Sequence, residues 1–202
     1  MSTMLIAVPT FENVNTETFE SIYNLKIPGG VNSNLKFIKG YDCAKARNRI
    51  AKISQNEKYD YVFMVDSDVV LPENALLELF KFFDTFSGMI IGYYPRKNEP
   101  DQSEVYKNGW GYPIENRMSI EHLKQSKADL IRIQGGGLGC ALIRVSVFDQ
   151  LDYPYFKYIE YPDGEGLSED LYFCEELVKR NIPIYVNPKV GCGHVKKRII
   201  EC

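Results

Sequence analysis

The chain has 202 residues, 45% of them hydrophobic and 25% charged, which is an ordinary composition for a globular protein. This length is enough for one domain with a sizeable core and short for two, so we expect a single domain over residues 1–202. The formal net charge of −3 excludes a general electrostatic attraction to nucleic acid or to anionic membranes.

The first third of the chain predicts alternating strands and helices. Its N-terminal apolar run follows no basic region and is too short for a signal or a membrane-spanning helix, so we interpret residues 5–8 as the first strand of a cytoplasmic protein. Apolar spacing then predicts a helix at 16–25, a strand at 35–38, a helix capped by Asp42 and a strand at 61–65. This alternation predicts an α/β sheet.

Two carboxylates follow the most apolar of these strands. Residues 61–65 are apolar without alternation, which predicts a strand buried on both faces, and Asp66 and Asp68 come directly after it. Open α/β sheets bind ligands at this carboxyl edge. Because strand side chains repeat every two residues, both carboxylates can share one divalent cation with a substrate phosphate. The alternative is a turn before a helix that opens at Pro72, and the tripeptide alone favours that alternative.

Basic residues could serve the same edge of the sheet. Arg47, on the second predicted helix, can reach toward a nucleotide, although a solvated surface arginine is the alternative. An apolar stripe predicts a helix over residues 72–86 and is followed by a strand at 89–94. Arg96 and Lys97 come next and could either neutralise phosphate or lie in an exposed turn.

The second half begins with the least regular part of the chain. We assign residues 98–128, which contain the only tryptophan, Trp110, to acceptor recognition, because long irregular segments in compact domains are often functional. Residues 135–139 are glycine-rich and follow a predicted strand at 130–134. The dinucleotide-binding pattern fails there at its third glycine, which excludes a Rossmann oxidoreductase. Glycines without a Cβ atom could let a sugar or ribose lie against the backbone.

Acids and a histidine mark the last predicted elements. A strand at 141–143, a short helix at 145–151 and a strand at 182–186 complete the pattern, with a helix beginning at Ser168-Glu169-Asp170 between the last two. Ser168 can cap this helix, and acids in a first turn also have ordinary capping roles. His194 is a structural residue in the ordinary interpretation. The five cysteines show no Cys-x-x-Cys pair, so we expect reduced thiols and no zinc site.

Taken together and in this order, six motifs resemble the nucleotide-sugar glycosyltransferases of the GT-A fold, with a metal-binding Asp-x-Asp motif and a family 2-like pattern. The motifs are Ile6-Ala7-Val8-Pro9-Thr10, Ala46-Arg47-Asn48, Asp66-Ser67-Asp68, Gly135-Gly136-Gly137-Leu138-Gly139-Cys140-Ala141-Leu142-Ile143-Arg144, Ser168-Glu169-Asp170-Leu171-Tyr172-Phe173 and Gly193-His194. The resemblance implies a single α/β domain with a mixed, mostly parallel sheet flanked by helices. It also implies a nucleotide-binding half at about 1–97 and an acceptor and catalytic half at about 98–202.

The resemblance implies roles for individual residues. The metal ligands would be Asp68 and His194, with Asp66 on the metal or the ribose, and this ligand set suits Mn²⁺ better than Mg²⁺. The general base toward the acceptor would be Asp170 or its neighbour Glu169. The remaining donor contacts would be to base and ribose at Pro9, Thr10, Asp42 and Arg47, and to the sugar at Gly136 and Gly137.

The implied function is metal-dependent transfer of a sugar from a UDP-sugar, favoured over a GDP-sugar, to an acceptor hydroxyl. The acceptor stays open among glycan, lipid, protein, small metabolite and modified nucleic-acid base, and so do the oligomeric state and the stereochemical course. A sugar-1-phosphate nucleotidyltransferase is one alternative, but it normally has a glycine-rich basic loop where this chain has Pro9-Thr10-Phe11-Glu12. A non-catalytic nucleotide-sugar-binding module is another, and it would dispense with a complete set of metal ligands.

Overall fold

The structure is a computed structural model and describes residues 1–83, 88–108, 116–162 and 166–196. Its strands are β1 Ser2–Thr10, β2 Val31–Lys39, β3 Tyr61–Val65, β4 Val69–Val70, β5 Met89–Tyr93, β6 Gln102–Tyr106, β7 Arg117–Ser119, β8 Ile131–Ile133, β9 Gly135–Gly136, β10 Cys140–Arg144, β11 Ile159–Glu160, β12 Gly166–Leu167, β13 Ile184–Gly191 and β14 Gly193–His194. Its helices are α1 Thr16–Tyr23, α2 Cys43–Asn56, α3 Ala75–Phe80, α4 Ile120–Gln125, a 3₁₀ helix at Val145–Gln150 and α5 Glu169–Lys179.

Seven of the described strands form one central sheet, in the order β2-β1-β3-β10-β5-β13-β8. Strand β1 pairs in parallel with β2 and with β3, and β13 pairs in parallel with β5. Strand β10 runs antiparallel between β3 and β5, and β8 runs antiparallel to β13. Strands β1, β2, β3, β5 and β13 thus run in one direction, and β8 and β10 run in the other. The sheet is therefore mixed with most strands parallel, which confirms the predicted α/β class with flanking helices.

The position of β3 in the sheet explains why its sequence shows no alternation of apolar and polar residues. It lies inside the sheet between β1 and β10, so both of its faces are covered. Val62 and Met64 pack into the core that also holds Ile50 of α2, whereas Phe63 packs on the other face into the core that also holds Leu76 of α3. Two apolar layers thus enclose this strand, as in other sheets with parallel central strands.

Two small sheets lie beside the carboxyl edge of the central sheet and contain later segments of the chain. Strand β14 pairs with β4, so that His194 lies opposite Val69. The backbone N–H of Val195 also donates to the carbonyl oxygen of Asp68 at 2.8 Å. Strand β6 pairs with β7 and β9 in a separate three-stranded sheet, and β6 and β7 lie within the segment 98–128 that the sequence left irregular.

Element boundaries differ from the sequence prediction at several places. The helix predicted over 72–86 is α-helical only over Ala75–Phe80, and residues 84–86 and Trp110 lie outside the described residues. The helix predicted at 145–151 is a 3₁₀ helix. Ser168 precedes α5 as expected, but its side chain makes no capping hydrogen bond and donates instead to the Asp170 carboxylate. No helix in the described ranges is long and apolar enough to span a membrane.

Candidate active site

A cavity of about 560 Å³ opens at the carboxyl edge of the central sheet. The carboxyl ends of three strands of this sheet contribute to it, because Pro9 is the second-to-last residue of β1, Asp66 follows β3 and Tyr94 follows β5. The sequence-predicted residues that line it are Pro9, Asp66, Asp68, Asp170 and His194. Residues far apart in sequence therefore meet where open α/β sheets bind ligands.

The Asp68 carboxylate has a partner on each oxygen. His194 Nε2 lies 3.5 Å from its Oδ1, and the Lys97 ammonium contacts its Oδ2. Burial raises the pKa of Asp68, but hydrogen bonds with His194 and Lys97 together lower it to about 2. Burial also lowers the pKa of His194, but its bonds to Asp68 and to the Pro95 carbonyl raise it above the ordinary value. The carboxylate is thus held in its charged form at neutral pH.

The histidine ring is oriented for binding a cation. Its Nδ1 lies 2.8 Å from the carbonyl oxygen of Pro95, which can only accept a hydrogen bond, so Nδ1 carries the proton. In the neutral ring Nε2 then has a lone pair directed at the Asp68 carboxylate. Two acceptors that face each other need a positive charge between them, either a proton on Nε2 or a metal ion. A ligating histidine that donates its other N–H to a backbone carbonyl is the usual arrangement in metal sites.

The third predicted metal ligand is arranged differently. In the part of the chain that the structure describes, no three His, Cys, Asp or Glu side chains are grouped to hold a metal ion. Asp66 instead accepts from Arg47 Nη2 at 2.8 Å. Burial raises the pKa of Asp66 while the nearby guanidinium opposes that rise. Asp68 and His194 therefore fit a divalent cation that takes its other ligands from a diphosphate or water, with Asp66 beside it.

Arg47 is a buried cation rather than a surface one. Its side chain is only 2% exposed and does not line the cavity. The Nη2 atom contacts Asp66, and Nε lies 3.2 Å from Oε1 of Glu169. The solvated-arginine alternative is therefore wrong, since the guanidinium joins α2 to the end of β3 and to the start of α5.

The two neighbouring acids of α5 have different surroundings. Glu169 is buried and paired with Arg47, whereas Asp170 is partly buried and lines the cavity. Asp170 Oδ1 accepts from the N–H of Leu171 at 2.8 Å and from the Ser168 hydroxyl. Burial and the charge of Glu169 raise the pKa of Asp170 to about 6. Asp170 is thus the acid of the two that can exchange a proton with a ligand in the cavity.

A family model described as glycosyl transferase family 2 matches residues 35–152, which is more than half of the chain. The chain belongs to glycosyl transferase family 2. It is thus a glycosyltransferase, and the predicted GT-A fold and enzyme class are confirmed. A search of curated protein sequences found no match.

Solved structures with the same fold cover 98% of this glycosyltransferase. One is A197 from STIV, with 18% identity, a TM-score of 0.66 and 87% of that chain covered. A second is GalNAc-T7 with UDP, GalNAc and Mn²⁺, with 12% identity, a TM-score of 0.61 and 44% of that chain covered. A third is S. aureus TarS 1–349 in complex with UDP-GlcNAc, with 15% identity, a TM-score of 0.55 and 60% of that chain covered.

Two predicted donor contacts of this glycosyltransferase are engaged elsewhere in the structure. Thr10 is buried, and its hydroxyl donates to the carbonyl oxygen of Asn13 at 2.7 Å. The Asp42 carboxylate caps α2 by accepting from the N–H of Lys45 at 2.9 Å, as predicted for the start of that helix. Neither residue lines the cavity, although Cys43 beside Asp42 does.

The two glycines expected to face the sugar pack against the protein itself. A Cβ atom on Gly136 would lie 2.3 Å from Cδ1 of Ile91, and one on Gly137 would lie 2.2 Å from Oη of Tyr94. Neither glycine lines the cavity. The missing Cβ atoms therefore allow β9 and its neighbours to pack closely, which differs from the expected exposure to a sugar.

One wall of the cavity is formed by members of a closed ring of polar side chains, of which the sequence had singled out Arg96 alone. Arg96 contacts Glu104 at 2.7 Å and Glu99 at 2.5 Å. Arg117 contacts the same Glu99 at 3.1 Å and donates to the Tyr106 hydroxyl at 3.2 Å, which in turn donates to Glu104 at 2.9 Å. Glu104 and Tyr106 stand two residues apart on β6, so strand spacing was the one available signal.

Proposed function

We propose that this glycosyltransferase moves a sugar from a UDP-sugar to an acceptor hydroxyl with the help of a divalent cation, Mn²⁺ in preference to Mg²⁺. The observation that carries the proposal is the pairing of Asp68 with a correctly oriented His194 in the cavity that Asp170 also lines. An imidazole together with a carboxylate favours Mn²⁺ over Mg²⁺, which prefers oxygen ligands alone.

The choice of donor draws support from two of the similar structures. GalNAc-T7 was solved with UDP and Mn²⁺, and TarS was solved with UDP-GlcNAc. Both ligands contain a uridine diphosphate, so a UDP-sugar is the proposed donor here and a GDP-sugar is less favoured. Pro9, at the end of β1, is the proposed contact for the base, and the first turn of α2 at Asp42 and Cys43 is proposed to approach the ribose.

Asp68 and His194 would hold the cation, while Asp66, fixed by Arg47, would orient the ribose or complete the coordination. A divalent cation offsets the negative charge that a departing nucleoside diphosphate acquires. Thr10, Gly136 and Gly137 are proposed to act behind the cavity lining, by setting the positions of the backbone segments that the donor contacts.

Asp170 is the proposed general base, and Glu169 supports it. At neutral pH, Asp170 is ionised and is more basic than an ordinary aspartate, because its pKa is near 6. A base of this strength can accept the proton of an acceptor hydroxyl as the hydroxyl attacks the sugar. Glu169, paired with Arg47, instead fixes the position at which α5 begins and keeps Asp170 directed into the cavity.

The ring of Arg96, Glu99, Glu104, Tyr106 and Arg117 is the proposed acceptor side of the cavity. It belongs to the segment 98–128 that the sequence assigned to acceptor recognition, together with the residues just before it. Its two arginines and two glutamates balance in charge, and together with a hydroxyl they offer both donors and acceptors of hydrogen bonds. The acceptor class stays open among glycans, lipids, proteins, metabolites and modified bases.

The test is incubation of the protein with a panel of UDP-sugars and GDP-sugars in the presence of Mn²⁺. Release of UDP, even slowly to water, supports the proposed transferase. Release of pyrophosphate from a nucleoside triphosphate and a sugar 1-phosphate would support the nucleotidyltransferase instead. Binding of UDP-sugar without any release, and without dependence on Mn²⁺, would support a binding module.

A further inference from the structure

Lys97 contacts the same carboxylate that is proposed to hold the metal ion. Its ammonium group contacts Oδ2 of Asp68, while His194 lies against Oδ1. A divalent cation on Asp68 would repel this ammonium at contact distance. The Lys97 ammonium and a metal ion therefore compete for the Asp68 carboxylate.

The backbone around Lys97 is hydrogen-bonded, whereas its side chain is partly exposed and contacts Asp68. The N–H of Arg96 donates to the carbonyl oxygen of Gln102 at 2.9 Å, and the carbonyl oxygen of Lys97 accepts from Lys196 Nζ at 2.6 Å. The side chain of Lys97 is 40% exposed. A rotation about its side-chain bonds can thus move the ammonium away from Asp68 without moving His194. The ring of His194 is held by its hydrogen bond to the carbonyl oxygen of Pro95.

The arginines near the cavity are less able to supply a mobile positive charge. Arg96 and Arg117 are bound within the polar ring to Glu99 and Glu104 or Tyr106. Arg47 is buried and bridges the carboxylates of Asp66 and Glu169. The sequence left open whether Arg96 and Lys97 act as a pair on phosphate, and these contacts separate the two residues.

We propose that Lys97 alternates between two partners, the Asp68 carboxylate and the diphosphate of the nucleotide, and that it contacts the leaving diphosphate during transfer. This inference rests on the proposed function of the site. A metal ion takes Asp68 and displaces the ammonium, and the diphosphate that arrives with the metal gives the ammonium a new anionic partner. Lys97 thereby opposes the binding of metal alone and favours the binding of metal together with nucleotide.

The two arrangements make the binding of metal and nucleotide cooperative. Without nucleotide, Mn²⁺ must compete with an ion pair for Asp68. With nucleotide, the displaced ammonium is stabilised by phosphate oxygens, to which a lysine binds as a point charge. Because coupling between two ligands is reciprocal, Mn²⁺ must also raise the affinity for UDP by the same factor.

The test compares Lys97→Met with wild type in two binding measurements that do not depend on turnover. Mn²⁺ binding without nucleotide is followed by the electron paramagnetic resonance signal of free Mn²⁺, and we expect it to be about 1.5- to 5-fold tighter in Lys97→Met, the range of an exposed ion pair. UDP binding at saturating Mn²⁺ is followed by calorimetry, and we expect it to be about tenfold weaker, as for loss of a charged hydrogen bond.

Lys36→Met is the matched control. Lys36 also contacts a carboxylate, that of Glu57, and its side chain is 35% exposed, but neither residue lines the cavity. Both affinities should equal the wild-type values in this control. A general effect of lost surface charge would instead change the control and Lys97→Met alike, and that outcome overturns the proposal.

The opposite signs of the two effects make the proposal falsifiable apart from the proposed function. If Lys97→Met leaves either affinity unchanged while wild type binds UDP in a Mn²⁺-dependent way, the alternation is wrong and the metal site stands. If wild type binds UDP equally well with and without Mn²⁺, the metal-dependent function itself is wrong. Weaker Mn²⁺ binding in Lys97→Met without nucleotide would also overturn the alternation.

Discussion

At the scale of single residues, Asp170 and Glu169 show how two adjacent acids acquire different roles. Both lie in the first turn of α5, but the Asp170 side chain lines the cavity whereas the Glu169 side chain pairs with the buried Arg47. The two acids therefore differ in their partners. The pKa of about 6 for Asp170 reflects burial and the neighbouring charge, both of which disfavour its ionised form.

Asp170→Asn is expected to lower turnover by roughly 10²–10⁴-fold, the usual contribution of a general base, while UDP binding survives. In wild type, the rate should fall as the pH drops below about 6, because Asp170 becomes protonated there. A carboxylate whose pKa is raised on folding is destabilising when ionised, so the melting temperature of Asp170→Asn at pH 7 should be unchanged or higher. The checks are single-turnover transfer and thermal denaturation.

A helix-capping role for Asp170 predicts the reverse pattern. Loss of a favourable charge near a helix start costs about 0.3–1 kcal/mol and leaves the chemistry intact. Wild-type transfer by Asp170→Asn, combined with a lower melting temperature, would therefore remove Asp170 from the mechanism. Glu169→Gln serves as the comparison, since its main effect should be on stability through Arg47.

His194 gives the second prediction. Because the imidazole must be neutral to bind a metal ion, Mn²⁺-dependent UDP affinity should decrease as the pH falls through the pKa of His194, which the structure raises above 6.5. The ion pair with Asp68 has the opposite dependence, since a histidine with a raised pKa stabilises the fold at low pH and loses that contribution as the pH rises. Calorimetric titration with UDP between pH 5 and 8 measures the effect, within the range where histidine titrates.

His194→Ala is the variant that checks the assignment. Its Mn²⁺-dependent UDP affinity should be weak and nearly independent of pH over the same interval. If the affinity of His194→Ala falls with pH as steeply as that of wild type, another group titrates and His194 is structural. The resemblance of the six sequence motifs to GT-A glycosyltransferases pointed to Asp68, Asp170 and His194, and all three line the cavity.

The same reasoning missed contacts between residues that are far apart along the chain. Arg47 and Glu169 are 122 positions apart, and no local pattern reveals that they pair. The surroundings of Gly136 and Gly137 likewise depend on contacts between residues that are distant in sequence. The need for a missing Cβ is visible in sequence, but the atoms that occupy the space, from Ile91 and Tyr94, become known only from packing.

At the scale of elements, α2 connects the two halves of the site. Arg47 joins it to Asp66 and Glu169, and the neighbouring Asn48 joins it to the segment before α5. The Asn48 side chain accepts from the N–H groups of Tyr155 and Phe156 and donates to the Phe156 carbonyl oxygen at 2.6 Å. The Ala46-Arg47-Asn48 motif is thus a connector whose polar side chains are buried.

Arg47→Met should therefore act first on stability. Removing one partner of a buried ion pair leaves uncompensated carboxylates and costs about 3–5 kcal/mol in the free energy of unfolding. Arg49→Met, two residues along the same helix, removes an exposed arginine that contacts the Tyr41 hydroxyl, and we expect a change within about 0.5 kcal/mol. Urea unfolding of both variants measures the difference. Equal stability of the two would mean that the bridge is not needed for folding.

The sequence predicted strands best where the strand is buried on both faces and is therefore apolar throughout. Apolar content alone identified β3, β5 and β10, because each is buried on both faces of the sheet. Strands β6 and β7 were missed within the segment 98–128, because they pair across a small separate sheet and lack a long apolar run. The short ladder of β14 with β4 was also missed, since two-residue strands have no periodicity to detect.

At the scale of the whole molecule, the central sheet interleaves the two halves that the sequence suggested. Strands β1, β2, β3 and β5 come from residues 1–97, and β8, β10 and β13 come from residues 98–202. In the sheet, β10 lies between β3 and β5, and β13 covers the other side of β5. Both neighbours of β5 therefore come from the second half, and so does one neighbour of β3.

This topology predicts that the chain unfolds as a single unit. Removing the second half would expose both edges of β5 and one edge of β3, so the fragment 1–97 should lack a cooperative transition. Scanning calorimetry of the complete chain should show one transition with equal calorimetric and van't Hoff enthalpies. UDP with Mn²⁺ should raise its melting temperature, since a ligand of the native state stabilises by mass action. Two calorimetric transitions in residues 1–202 would mean that the halves are separate domains despite their shared sheet. Cooperative melting of the fragment 1–97, monitored by circular dichroism, would mean the same.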